Sequence, residues 1–221
     1  RGYRRDPGRV LAGCRDVDPA HYETFTREWV DAAARALRPA GQLVVITGPQ
    51  RAAAAQLAGE QAGLTWVASI AARREFALYT RRRPACAHWT ITVLCHGALD
   101  HPRRVFHPPP DLPAARSGHP YPLDWWPDNG RADRPGQIRN DCELPLRLVR
   151  RAICAFSDPG AHVVDPFLGA GSTLAACWLE GRRCTGGDLN PLALALAAAR
   201  LLDEHAWPAE RQPTLFPTRA A

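Results

Sequence analysis

The chain has 221 residues, enough for one globular domain that buries roughly 70% of its unfolded surface. Its 28 basic residues are all arginine, so a lysine-bearing triphosphate loop is excluded, and a net charge of +6 agrees with a polyanionic partner, although a GC-rich coding sequence yields the same arginine and alanine bias. No apolar leader or run of about eighteen apolar residues is present, and the seven scattered cysteines form no CxxC pair, a pattern that reads as reduced, soluble and cytoplasmic rather than zinc-bound or disulfide-stapled.

Arg1 to Arg15 is polar and interrupted by Gly2, Pro7, Gly8 and Gly13, so it reads as loop. Asp18 and Pro19 open a helix whose Tyr22, Phe25, Trp29, Ala33 and Leu37 form one apolar stripe. Arg38 to Gly41 turns into a strand over Gln42 to Thr47, and a second helix from about Pro49 to Ala62 leads to a strand over Leu64 to Ile70. Phe76 to Thr80 and His88 to Leu94 alternate and are expected to pair as a hairpin around Arg83-Pro84. Cys86, His88, Cys95 and His96 lie close, but their spacing matches no common zinc module, so no metal site is expected. From Gly97 to Arg139 nine prolines interrupt any long helix, with arginines interleaved among Phe106, Tyr121, Trp125 and Trp126. A helix is expected over Glu143 to Val149, and Trp207 to Ala221 reads as a loose tail.

The most informative stretch lies between these last two. His162 to Val164 is a short buried strand, followed by Asp165-Pro166-Phe167-Leu168-Gly169-Ala170-Gly171-Ser172-Thr173. Ser172 or Thr173 is expected to cap the next helix, with Leu174, Cys177 and Trp178 on its buried face and Gly181 closing it. Arg183 to Gly187 returns as a second strand ending at Asp188, and Asn190-Pro191 opens another helix. Strand, glycine turn, helix, strand and acid are the parts of a nucleoside-cofactor site. A dinucleotide fingerprint would need glycine at 174, where Leu174 stands, and Asp165 would repel a pyrophosphate. That acid suits instead a ligand with a sulfonium and an ammonium, such as S-adenosylmethionine, with Asp188 on the ribose hydroxyls and Phe167 packed on the adenine or the methionine chain.

These residues carry a family resemblance. Asp165-Pro166-Phe167-x-Gly169-x-Gly171-Ser172-Thr173 followed by Gly187-Asp188-Leu189-Asn190 resembles the cofactor motif of DNA amino-methyltransferases, which methylate the exocyclic amine of adenine or cytosine. Many relatives have Thr-Thr where this chain has Ser172-Thr173. About fifty residues follow the loop, so the arrangement resembles the permuted (beta) class, in which the catalytic loop and target-recognition region come first. The resemblance implies a Rossmann-like α/β fold, a mostly parallel sheet with an antiparallel hairpin, in circularly permuted order. It implies a catalytic-half subdomain over residues 1–96, a target-recognition segment over 97–139, a cofactor-binding half over 140–206 and a tail over 207–221, all in one globular domain. Asp165, Pro166, Phe167, Gly169, Gly171, Ser172, Thr173, Asp188 and Asn190 would hold the cofactor. Arg103, Arg104, Arg131 and Arg134 would contact double-stranded DNA, and a cognate restriction endonuclease would be the companion protein.

The family's chemistry uses an Asp/Asn/Ser-Pro-Pro-aromatic loop that clamps the target amine, and this tetrapeptide is absent, so no catalytic residue is assigned. Asp6-Pro7-Gly8 and Asp18-Pro19-Ala20 lack the second proline, while His107-Pro108-Pro109-Pro110 follows no expected strand. The expectation is therefore a methyltransferase fragment that starts just past its catalytic loop. The alternatives are a non-catalytic partner subunit that binds cofactor or DNA, and an RNA or small-molecule methyltransferase.

Overall fold

The computed structural model describes residues 17–74, 81–82, 84–109, 111–112, 123–127, 129 and 143–205. They fall into two compact units, one over Asp16–Asn129 and the other in the part that follows Gly130.

In the first unit, the Asp18 side chain accepts a hydrogen bond from the Ala20 N–H at 2.9 Å and caps a 3-10 turn, Pro19–His21, that feeds helix α1, Tyr22–Ala36. The residues buried along α1 are Thr26, Val30 and Ala34, while Tyr22, Phe25, Trp29, Ala33 and Leu37 are only half-buried beside them. The expected stripe is thus one position off the true contact line. Helix α2 (Pro49–Gln61) packs on α1, and this line of smaller side chains is the one that sits deepest, with the larger ones flanking it.

Strand β1 (Gln42–Thr47), helix α2 (Pro49–Gln61), strand β2 (Thr65–Arg73) and strand β3 (His88–Cys95) follow. A two-residue strand β4, Trp125–Trp126, completes a sheet in the order β1-β3-β2-β4. β3 is antiparallel to both β1 and β2, and β4 is parallel to β2, so among the described strands β3 alone runs against the rest. The expected pairing of His88 to Leu94 with Phe76 to Thr80 is corrected on the β3 side. From Thr90 to Cys95 one edge of β3 is taken by β1 and the other by β2, so the hairpin partner is Thr65–Arg73. Phe76 to Thr80 lies outside the described residues. The longer β2 wins because Ile91, Val93, Leu94 and Cys95 are fully buried and need cover on every side. Trp126 is buried beside Ala72 while Trp125 stays exposed, which confines the proline-bounded β4 to the sheet edge.

The second unit contains helix α3 (Leu146–Phe156), strand β5 (His162–Asp165), helix α4 (Ser172–Leu179), strand β6 (Arg183–Gly186) and helix α5 (Pro191–His205). β5 and β6 are parallel, with Asp165 opposite Gly186. Helix α3 begins three residues later than expected, because Pro145 holds Leu144 out of helical conformation and serves itself as the cap residue. Val149, Ile153, Ala176 and Cys177 form a core on which Val163 and Cys184 pack. Cys177 donates to Cys184, which pushes the Cys177 thiol up and the Cys184 thiol down. Burial, with Glu180 beside it, pushes the Cys154 thiol up to about 12. Among the described residues no three His, Cys, Asp or Glu side chains gather as a metal site, and no helix is long and apolar enough to cross a membrane.

Candidate cofactor site

All nine expected cofactor residues fall in the second unit, either between the last residue of β5 and the first turn of α4 or on the loop that leaves the carboxyl end of β6. This is the end of a parallel pair where ligands bind in open α/β sheets.

The β5 loop is built by its own first residue. Asp165 ends the strand, its Oδ1 accepts the Phe167 N–H at 2.9 Å, and Pro166 between them presets the turn. The loop is then stitched to the end of β6: the Gly187 N–H donates to the Asp165 carbonyl at 3.0 Å and the Leu168 N–H to the Gly187 carbonyl at 2.9 Å. Leu168 is buried against Gly186, where a Cβ would stand 2.7 Å from its Cδ1. The sequence reading missed both residues; the signal was an apolar side chain inside a glycine turn.

Asp188 joins the two loops. Its Oδ2 accepts the Gly169 N–H at 2.9 Å and its Oδ1 accepts the Asn190 N–H at 2.8 Å. Asn190 in turn accepts the Leu192 N–H at 3.0 Å and so caps α5. Among the described residues neither Asp165 nor Asp188 has an arginine partner, so two uncompensated carboxylates bracket the glycine turn. Phe167 is half exposed and Leu189 fully exposed, so both present apolar surface beside these acids.

Two expectations about α4 are corrected. Its cap residue is Gly171, in the left-handed conformation at φ 76°, and not Ser172 or Thr173. A Cβ at Gly171 would lie 2.8 Å from the Ala197 Cβ, so only glycine lets α4 and α5 approach so closely. Ser172 begins the helix and faces inward, donating to the Leu144 carbonyl at 3.2 Å and accepting from Arg200 at 3.0 Å. Trp178 is exposed, and the buried face consists of Ser172, Ala175, Ala176 and Cys177. Small side chains let the helix sit tightly among its neighbours, which a tryptophan would prevent. Replacing Gly171 with alanine is therefore expected to cost about 1–3 kcal/mol. Gly181, at φ 67° with nothing within 4 Å of its would-be Cβ, isolates backbone strain from the clash. In thermal melts Gly171→Ala should fall below Gly181→Ala, and equal melting temperatures would remove the packing argument.

Of the arginines expected at DNA, Arg103 is exposed, and Arg104 donates its Nε–H to the Leu99 carbonyl at 2.6 Å. Arg131 and Arg134 lie outside the described residues.

The fold and the paired acids define the class: an α/β fold of S-adenosylmethionine-dependent methyltransferases. M1.HpyAVI in complex with S-adenosylmethionine superposes with a TM-score of 0.63 at 19% identity, covering 80% of this chain and 83% of that one. The chain belongs to the N6/N4 DNA methylase family, whose signature matches residues 16–199 and whose cofactor is S-adenosylmethionine. It is 27% identical to YubD of Escherichia coli (strain K12) over 195 residues, 85% of this chain and 71% of that protein. It is 43% identical to the type II methyltransferase M.XycI of Xanthomonas campestris pv. cyanopsidis over 58 residues, which is 26% of this chain and 19% of that protein. The chain thus spans about a fifth of the length of M.XycI.

Proposed function

We propose that this chain is the cofactor-holding part of a DNA methyltransferase that transfers methyl from S-adenosylmethionine to the exocyclic amine of adenine or cytosine. The observation that carries the reading is the pair of carboxylates without cationic partners, held at fixed positions around a glycine turn in a chain of the DNA methylase family. When bound, the cofactor supplies an electrophilic methyl on a sulfonium.

The residues fit that group. A carboxylate has about four lone-pair sites. Asp165 spends one on Phe167 and Asp188 spends two, one on Gly169 and one on Asn190. The remaining sites of Asp165 would face the cationic methionine end, and those of Asp188 the ribose hydroxyls. Phe167 and Leu189 would cover the adenine. Gly169, with φ 51°, keeps the backbone free of a side chain where the ligand approaches. Thr173 lies in the first turn of α4, and the buried Ser172 acts by fixing the loop from behind.

The amine clamp is the part of the activity this sequence does not carry, since no Asp/Asn/Ser-Pro-Pro-aromatic tetrapeptide occurs in it. In our reading that loop belongs to a longer form of the protein, and the type II naming of M.XycI favours a companion restriction endonuclease. The absent tetrapeptide also supports a second reading, a non-catalytic subunit that binds cofactor or DNA.

Expression of the complete reading frame, followed by sequencing for N4-methylcytosine and N6-methyladenine, distinguishes them. A modified base at one recurring site supports the methyltransferase, and unmodified DNA with duplex binding intact supports the subunit. Asp165→Ala should weaken S-adenosylmethionine about 10- to 100-fold in calorimetry, the worth of one lost charge-assisted contact. Unchanged affinity would remove Asp165 from the site.

A further inference from the structure

Two arginine–aromatic stacks stand at one end of the sheet in the first unit, and neither had a role in the reading so far. The Arg51 guanidinium lies 4.1 Å from the centre of the Tyr22 ring, and that of Arg74 lies 4.9 Å from the centre of the Trp89 ring.

The strand register places both at the same end. β1 and β2 are each antiparallel to β3, so they run parallel to one another. Thr47, Thr90 and Ala71 form one row across the sheet, and Arg73 pairs with His88 two positions beyond it. Arg74 follows β2 directly, Trp89 lies within that margin, and Arg51 is in the first turn of α2, just after β1 ends. These are the carboxyl ends of β1 and β2, the ligand-binding edge of such sheets.

Arg103 and Arg104 stand at the other end. The Ala40 N–H donates to the His96 carbonyl and the His96 N–H to the Gly41 carbonyl, both at 2.9 Å, and Gln42 donates to the Val105 carbonyl at 2.7 Å. Residues 96–105 therefore lie along the start of β1, on the order of 15 Å from its far end at about 3.3 Å per residue.

We propose that Arg51 and Arg74, each held over an aromatic ring, grip the phosphate backbone of DNA, and that Arg103 and Arg104 do not. A guanidinium held over a ring by cation–π attraction is restrained in position while its N–H donors stay available for a bidentate phosphate contact. Among the described residues neither Arg51 nor Arg74 pairs with a carboxylate, so both charges are available to a polyanion. The inference rests on DNA as the substrate and adds which residues hold it.

The test uses the full chain and a fluorescent 30-base-pair duplex of arbitrary sequence, titrated by anisotropy across a salt series. Arg51→Gln and Arg74→Gln should each weaken binding roughly fivefold and reduce the salt slope by about 0.9, as the loss of one phosphate contact requires. Arg51→Lys and Arg74→Lys should restore the slope while recovering only part of the affinity, because an ammonium lacks the bidentate fork of a guanidinium. Arg103→Ala with Arg104→Ala should bind as wild type. Overturning results are a wild-type slope in both glutamine variants, or a flattened slope in the Arg103/Arg104 double variant. Glutamine variants that lose S-adenosylmethionine binding but keep the salt slope would assign these arginines to the cofactor and also overturn the proposal. A wild-type chain that binds no duplex at low salt, with S-adenosylmethionine binding intact, would instead defeat the DNA reading on which the proposal stands.

Discussion

Asp188→Ala is expected to lower affinity for S-adenosylmethionine by at least about 100-fold in calorimetry. The carboxylate ties the side of the glycine turn at Gly169 to the start of α5 at Asn190. Each hydrogen bond to a charged group is worth about 1.5–3 kcal/mol, so alanine removes both the loop's fixed geometry and the acceptors offered to a ribose. Asp188→Asn keeps a carbonyl acceptor without the charge and should fall between alanine and wild type. Wild-type binding by the alanine variant would mean that the acid shapes the turn without meeting the ligand.

The largest effect on stability is expected at Glu143 and Arg200. Their side chains are 2.8 Å apart and each only 2% exposed, and the same Arg200 nitrogen also donates to Ser172. The pair thus locks the segment before α3, the start of α4 and the middle of α5 together behind the cofactor loop. Breaking a buried pair leaves one charge without its counterion and costs about 3–5 kcal/mol. Glu143→Gln should therefore lower the melting temperature by roughly 6–20 °C, at about 2–4 °C per kcal/mol for a chain of this size. The double variant Glu143→Leu with Arg200→Met should recover much of that loss, since apolar replacement of both partners removes the desolvation penalty as well. A single variant that melts with the wild type would show that the pair carries no net energy.

How much of this was legible in the sequence depended on range. The turn at Asp165, the second acid at Asp188 and the Asn190-Pro191 opening of α5 are local features, in which residue type and neighbour fix the backbone, and the structure has them where the motif puts them. The cap of α4 departs from what propensity favours. Ser172 is a good capping residue by propensity, but Gly171 takes the left-handed position that closes the turn, and the serine is turned inward to Arg200. Trp178 misled because periodicity marks an apolar residue without saying whether the neighbouring helix leaves it room. The partner of β3 and the Glu143–Arg200 pair depend on residues far apart in the chain, and no local pattern encodes such contacts. Gly186 and Leu168 fall between these cases, since a strand-end glycine pressed by a side chain looks in sequence like any other glycine.

We propose the glycine turn between Asp165 and Thr173 as the seat of S-adenosylmethionine. Ultraviolet cross-linking of methyl-labelled cofactor to the full chain, followed by peptide mapping, tests it most directly. Label confined to peptides spanning residues 163–192, and competed away by S-adenosylhomocysteine, is the predicted result. Competable label found only within residues 17–129, or no competable label at all, would contradict it.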